Sequence, residues 1–307
     1  MIYIRAIQSI THQDSFGQKN IWDNIRVLEK NSNTITPDYK NYISPSSLRR
    51  LSPVLRMALT AAKECQINVG QEIDAISVGT SLGCLVDTEK FLIGFHNATG
   101  DVISPTAFIQ STHNTIAGLI SLELKNHSYN MTHTQNSLSF EVALLDALMC
   151  CKEGSKNVLL GAADECIDFL KLFQPSLIKN DTSLTSGVTF MILGESNSKL
   201  GIGVKDILLH EGPDNIEHIT NQFLQKNSLS LHEIDQVFVS GEELKSFFHN
   251  SINYLQYSGL YFSASAFAVH LAHDWLIKEG KKYALIINEL FEGKIGLMLI
   301  KRDETQN

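Results

Sequence analysis

Cysteine is scarce in this chain, and it is missing where the local pattern most calls for it. The cysteines are Cys65, Cys84, Cys150, Cys151 and Cys166. An odd number, with two adjacent and none in a C-x-x-C pair, fits neither a disulfide framework nor a zinc site. They read as small apolar residues of a reduced, cytoplasmic protein. None lies between Leu122 and Met149. Yet within that gap a short strand pattern, Tyr129 to Thr134, runs through a polar turn, Gln135 to Ser139, into an apolar helix pattern, Phe140 to Cys151. A turn of this kind aims one side chain at a helix N-terminus, where the dipole favours a negative charge such as a thiolate. The turn offers only Gln135, Ser137 and Ser139. Cys150 and Cys151 sit at the far end of the helix, without that dipole, and read as structural thiols.

Two further absences narrow the class. No Lys/Arg run is longer than two and the net charge is −8, which argues against a nucleic-acid binder. No apolar run approaches the ~18–20 residues of a membrane span, and Met1-Ile-Tyr-Ile-Arg lacks the layout of a signal peptide. What is present is ordinary for a globular chain: 43% apolar and 19% charged residues over 307 positions, enough to bury a large core.

Helical spacing predicts helices at Pro53 to Cys65, Asp87 to Phe95, Asn114 to Leu124, Asp214 to Lys226 and Ser263 to Lys278. Short apolar runs predict buried strands at Ile73 to Thr80, Val158 to Gly161, Gly187 to Leu193, Gly203 to Leu209, Gln236 to Ser240, Tyr283 to Asn288 and Gly296 to Lys301. The alternation argues for an α/β fold with mainly parallel pairing inside each half. The end of the chain echoes its first part, which predicts two duplicated βαβ-rich halves, 1–196 and 197–307, with the junction near Glu195 to Lys199.

Several polar residues invite a functional reading beside a plain one. Ser137 or Ser139 suits a helix N-cap, the commonest use of serine there. Glu141 in the first turn suits the helix dipole. His270, His273 and Asp274 share one helical turn but lack a further ligand at a sensible spacing, so no metal is expected. Gly79 to Gly83 follows a strand but has neither the lysine of a phosphate loop nor the third glycine of a dinucleotide loop, and reads as a structural turn. Glu242 and Glu243, after a strand, read as solvent-facing.

Five segments carry a resemblance: Ile76-Ser-Val-Gly-Thr-Ser-Leu-Gly-Cys-Leu-Val-Asp-Thr-Glu-Lys-Phe91, Ser104-Pro-Thr-Ala-Phe-Ile-Gln-Ser-Thr-His-Asn-Thr-Ile-Ala-Gly118, Val158-Leu-Leu-Gly-Ala-Ala-Asp-Glu165, Ser258-Gly-Leu-Tyr-Phe-Ser-Ala-Ser-Ala266 and Ala284-Leu-Ile-Ile-Asn288. Together they resemble the β-ketoacyl synthases of the thiolase superfamily, and the Ser-Pro-Thr-x-Phe phrase resembles the short synthase-like proteins of aryl polyene and flexirubin-type pathways. The resemblance implies a thiolase-like fold in α-β-α-β-α layers, no cofactor, and a site of one cysteine, two histidines and an upstream lysine. That set has no match here. The nucleophile position falls on Gln135 or Ser137, the first histidine position on Gly241-Glu242, the second on Leu260 after Gly259, and Tyr254 to Tyr257 hold no lysine. A thiolate attacks the acyl thioester and histidines polarise the malonyl carbonyl, so condensation is not expected. The resemblance therefore implies a chain-length-factor-like partner of an active ketosynthase, meeting acyl carrier protein. Its tunnel would be lined by Phe108, His113, Leu119, Phe140 and Leu144, and its interface would be built on Tyr129 to Thr134 and Asn114 to Leu124. The alternatives are an acyltransferase or malonyl decarboxylase using Ser137 or Ser139 with His113, and a homodimeric scaffold that binds acyl carrier protein.

Overall fold

A computed structural model of the chain describes residues 1–30, 32–97, 105–177, 182–195 and 201–303. Its strands are β1 (Ile2–Ile10), β2 (Ala75–Gly79), β3 (Tyr129–His133), β4 (Val158–Asp164), β5 (Gly187–Gly194), β6 (Ile202–Glu211), β7 (Gln236–Val239), β8 (Ile252–Asn253), β9 (Tyr283–Phe291) and β10 (Lys294–Arg302). Its helices are α1 (Pro45–Leu48), α2 (Pro53–Val69), α3 (Leu85–Asn97), α4 (Pro105–Gln110), α5 (Thr115–Glu123), α6 (Ser139–Lys152), α7 (Asp168–Leu177), α8 (Ile216–Lys226), α9 (Glu242–Lys245), α10 (Leu255–Ser258) and α11 (Ser265–Glu279).

The punctuation of these elements is local chemistry. Extended Ser52 and Pro53 at the first helical position open α2, and Gly70, at φ 67°, closes it in the left-handed region where a side chain is costly. Gly293, at φ 75°, turns β9 directly into β10, so that pair is necessarily antiparallel.

The strands form one sheet in the order β3-β2-β4-β5-β1-β6-β10-β9-β7-β8. Outward from the centre, β1, β5, β4, β2, β3 on one side answer to β6, β10, β9, β7, β8 on the other, which is the same order five strands later. The internal echo in the sequence is thus an echo of topology. The predicted 196/197 junction lies outside the described residues.

The two halves share one continuous sheet, because β1 meets β6 through the pairs Ile2↔Val204 and Tyr3↔Gly203. One expectation is corrected: the pairing is not mainly parallel. β2 runs parallel to β3 and β4, and β7 to β8 and β9, but β5, β1, β6 and β10 pair antiparallel with their neighbours. Alternation of strands and helices dictates parallel pairing only where a helix carries the chain back to a neighbouring strand.

Side-chain alternation along the strands builds three packed layers around the sheet. Val158, Leu160 and Ala162 of β4 and Ala284 and Ile286 of β9 face a shared middle layer made by α6 and α11. Leu159 and Ala163 face the opposite way, onto α2 and α5. Leu285 and Ile287 face α8. Helix, sheet, helix, sheet, helix is the thiolase-like layering, with α6 and α11 buried between the two arms of the sheet.

Candidate functional site

The turn from β3 into α6 lies against β2 because residue 79 is glycine. A Cβ there would collide with the backbone carbonyl of Ser139. The turn is closed by Ser139, whose Oγ accepts from the Gln135 N–H (2.8 Å) and donates to the Asn136 carbonyl (2.7 Å). Asn136, between the two candidate nucleophile positions, has φ 56°, a left-handed conformation that asparagine tolerates better than most residues. Gln135 is exposed and its amide donates to Glu211 Oε1 (2.9 Å). Ser137 is fully buried, and its hydroxyl has no partner among the described residues. Neither Ser137 nor Ser139 caps α6 through a side-chain hydrogen bond.

The buried end of this turn is locked to the other half of the chain. The Asn288 amide donates to the Ser137 carbonyl (2.9 Å) and to Glu141 Oε1 (2.8 Å), and Asn288 Oδ1 accepts from the Tyr254 hydroxyl (3.2 Å). Gly296 of β10 leaves the space that the Glu141 side chain occupies; a Cβ there would stand 2.8 Å from Glu141 Cγ. Burial pushes the Glu141 carboxyl up to about 7, against the pull of the Ser265 hydroxyl and the Asn288 amide. Glu141 is therefore not the dipole-facing surface acid the helix position suggested. It is completely buried, and its Oε2 has no hydrogen-bond partner among the described residues. Burial, then the nearby Glu141, raises the Tyr254 phenol well above its ordinary value.

The remaining candidate positions lie around this lock. Asn253 Nδ2 donates to Glu242 Oε1 (2.9 Å), with Gln256 as a second donor (2.6 Å), which holds the Glu242 carboxyl below its usual range. Glu243 is exposed. Leu260 is fully buried, and its backbone pairs with Ser183 (3.0 Å) and Thr185 (2.9 Å). Gly259 has φ 66° and packs directly on Thr185.

The loop after β2 has its own internal anion. Asp164 Oδ1 accepts from Thr80 Oγ1 (3.0 Å), Ser81 N (2.9 Å) and Leu82 N (3.0 Å), and Glu165 Oε1 accepts from Val86 N (3.0 Å). Those donors are engaged, so the Gly79 to Gly83 stretch is a clamped turn rather than a phosphate cradle. Burial raises both carboxyls, Glu165 to about 7. Asp164, Glu165, Tyr254 and Asn288 were not candidate site residues from sequence; for Asp164 and Asn288 the available signal was a polar residue closing an apolar strand run.

The family model for the β-ketoacyl synthase N-terminal domain matches residues 22–200. The chain belongs to the β-ketoacyl synthase family. Solved structures give the same fold across nearly its whole length. An ishigamide ketosynthase/chain length factor aligns with TM-score 0.78 at 12% identity, covering 99% of each chain. A type II polyketide acyl-carrier protein in complex with its ketosynthase aligns at 0.77 and 13%, covering 98% of this chain and 99% of that one. The ketosynthase ApeO in complex with its chain length factor ApeC, from Xenorhabdus doucetiae, aligns at 0.73 and 13%, covering 98% of each. No curated protein sequence matches.

Within this ketosynthase-family frame, the tunnel candidates separate. Phe140 and Leu144 lie in the middle layer. Leu119 packs against the outer cluster of α2 and α5. Phe108 is 56% exposed, with its ring 5.5 Å from that of Phe91. His113 is exposed and packs on Gly83. The structure does not bring these five together in one chain. His270, His273 and Asp274 serve packing: His270 Nδ1 hydrogen-bonds Ser9 Oγ (2.8 Å), His273 Nδ1 hydrogen-bonds Asp274 Oδ1 (2.8 Å), and Asp274 Oδ2 accepts from Ile21 N (2.8 Å). Cys150 and Cys151 are buried at the end of α6, and burial raises both thiols. No helix of the described residues is long and apolar enough to cross a membrane.

Proposed function

We propose that this chain is a catalytically silent, chain-length-factor-like subunit that pairs with an active ketosynthase and shapes the space for a growing polyketide, polyene or fatty acyl chain delivered by acyl carrier protein. The observation that carries the reading is the buried lock. Ser137, Glu141, Asn288 and Tyr254 stand interlocked at the end of the nucleophile turn, and Leu260 is core where a histidine would polarise the thioester. A group sealed in this way can neither attack a thioester nor exchange protons with a substrate. The acyltransferase and decarboxylase alternatives need Ser137 or Ser139 beside His113. No hydrogen bond among the described residues joins them, and Ser139 is committed to the turn.

Pairing is supported by the free edge of the sheet. β3 is an outermost strand with exposed Tyr129 and Met131, and Leu122 and Met149 nearby are 77% and 51% exposed. An open edge flanked by apolar side chains invites strand pairing with another chain. The neighbours that pair a ketosynthase with a chain length factor favour a ketosynthase as that partner. The test is co-expression with the active ketosynthase encoded beside it, followed by size exclusion and native mass spectrometry. A stable 1:1 complex, with product abolished by removing only the partner's cysteine, is expected. A homodimer that ignores the ketosynthase points to the scaffold reading, and acylation of this chain alone would overturn the silent-subunit reading.

A further inference from the structure

A cavity of about 360 Å³ opens beyond the end of β1, between the start of α7 and the segment leading into β5. It is separate from the buried lock, although its wall at Thr185 hydrogen-bonds the Leu260 backbone (2.9 Å). His12, Ser32, Lys171, Ser183, Thr185 and Ser186 line it, with the half-exposed Cys166. No carboxylate is among its described lining residues, although the chain as a whole carries a net charge of −8. The ammonium among those residues, Lys171 Nζ, holds Asp168 Oδ1 at 2.9 Å, and the Asp168 side chain is almost wholly in solvent. An exposed pair of this kind is weak, so a competing anion displaces the carboxylate at little cost. His12 Nδ1 is tied to Ser32 Oγ (2.9 Å), which fixes the ring at the wall.

We propose that this cavity binds a small phosphate ester, with the oxyanion between Lys171, His12 and the serine hydroxyls. The chemistry selects an anion: hydroxyls and an imidazole offer donors, the start of α7 contributes its positive dipole end, and no lining residue among the described residues carries a negative charge. The size selects an ester over the bare ion, because 360 Å³ lies in the range of small-molecule pockets. The field inside the cavity agrees. Burial pushes the His12 imidazole below its ordinary value and Lys171 pushes it further, so the ring is poised to gain from an anion beside it.

The test follows the His12 imidazole by NMR in the full chain during titration with phenyl phosphate, inorganic phosphate and phenol. Phenyl phosphate is expected to give a saturable shift and to raise the His12 pKa. Inorganic phosphate is expected to do so at concentrations about tenfold higher, and phenol not at all. Lys171→Met should weaken phenyl phosphate binding at least tenfold, Lys171→Arg should keep it within a few-fold, and Asp168→Asn should tighten it a few-fold. These side chains are exposed, so folding is not at issue, and a far-UV spectrum checks it. No saturable shift, the same shift with phenol, or equal affinity in Lys171→Met would each overturn the proposal. Inorganic phosphate binding as tightly as the ester would overturn the choice of an ester.

Discussion

Replacing Glu141 by glutamine should make the protein's stability less dependent on pH. Glu141 is wholly buried at the junction of the two halves, and its carboxyl is pushed up to about 7 from an ordinary 4.5. In the native state it therefore holds its proton through a window in which the unfolded chain has already released one. Stability is greatest below about 4.5, falls as pH rises through the interval, and levels off above about 7. At roughly 1.4 kcal/mol per pH unit, the full loss is about 3 kcal/mol for this one group. A glutamine keeps the acceptor for Asn288 and adds an amide donor toward Ser265, with no charge to bury. Urea denaturation of wild type and Glu141→Gln at matched protein concentration, from pH 5 to pH 8.5, isolates the effect. Glu165 titrates in the same window but is common to both proteins and cancels in the difference. The variant should gain about 3 kcal/mol on wild type between the two ends of the series. Parallel pH profiles would mean that Glu141 is ionised or hydrated in the native state, and the sealed-site argument would fail with it.

Other substitutions probe the turn, the middle layer and the edge. Gly79→Ala drives a methyl into the Ser139 carbonyl; it should cost about 1–3 kcal/mol as an overpacked contact, read from the denaturation midpoint, and an unchanged midpoint would remove the claimed close approach. Phe140→Leu, in the middle layer, should shift the products of a reconstituted ketosynthase complex towards longer chains, whereas unchanged chain length detected by mass spectrometry would count against a tunnel at that position. Met131→Lys places a charge on the β3 edge, where Met131 is 42% exposed; it should abolish co-purification with the partner while leaving the midpoint of the isolated chain within about 0.5 kcal/mol of wild type.

Most of the fold could be read from periodicity. Strands β4, β5, β6, β9 and β10 and helices α2, α6, α8 and α11 all fall where apolar spacing put them, within a few residues at the ends. What escaped has physical causes. Helix α7 carries an apolar stripe at i, i+3 and i+4, Phe169, Leu172 and Phe173, so its spacing was legible in the sequence, but that stripe is exposed rather than packed on the core. Strand β8 spans only Ile252–Asn253, too short for any period. The joining of the sheet through β1 and β6 is a long-range pairing that no local pattern encodes. At the turn, the absence of cysteine between Leu122 and Met149 was legible in the sequence. The contacts behind the turn were not: the Glu141–Asn288 bond joins residues 147 apart in the chain, and burial of the acid depends on the gap left by Gly296. Helical position alone gave Glu141 a dipole partner and no reason to be buried.

The place of β1 in the sheet also has a temporal side. It leaves the ribosome well before the strands it pairs with. Ile10 pairs with Val188, Ile4 with Leu193, and Ile2 with Val204. At ~5–20 residues per second, the first strand waits roughly 10–40 s before β5 exists, and longer for β6. During that wait β2, β3 and β4 can assemble with α2 and α6, but the slot between β5 and β6 stays open. The two arms of the sheet are joined only when the earlier-made β1 inserts between two later strands. High contact order of this kind slows folding and leaves a hydrophobic strand unpaired meanwhile. Nascent copies are thus most exposed to misassembly at β1.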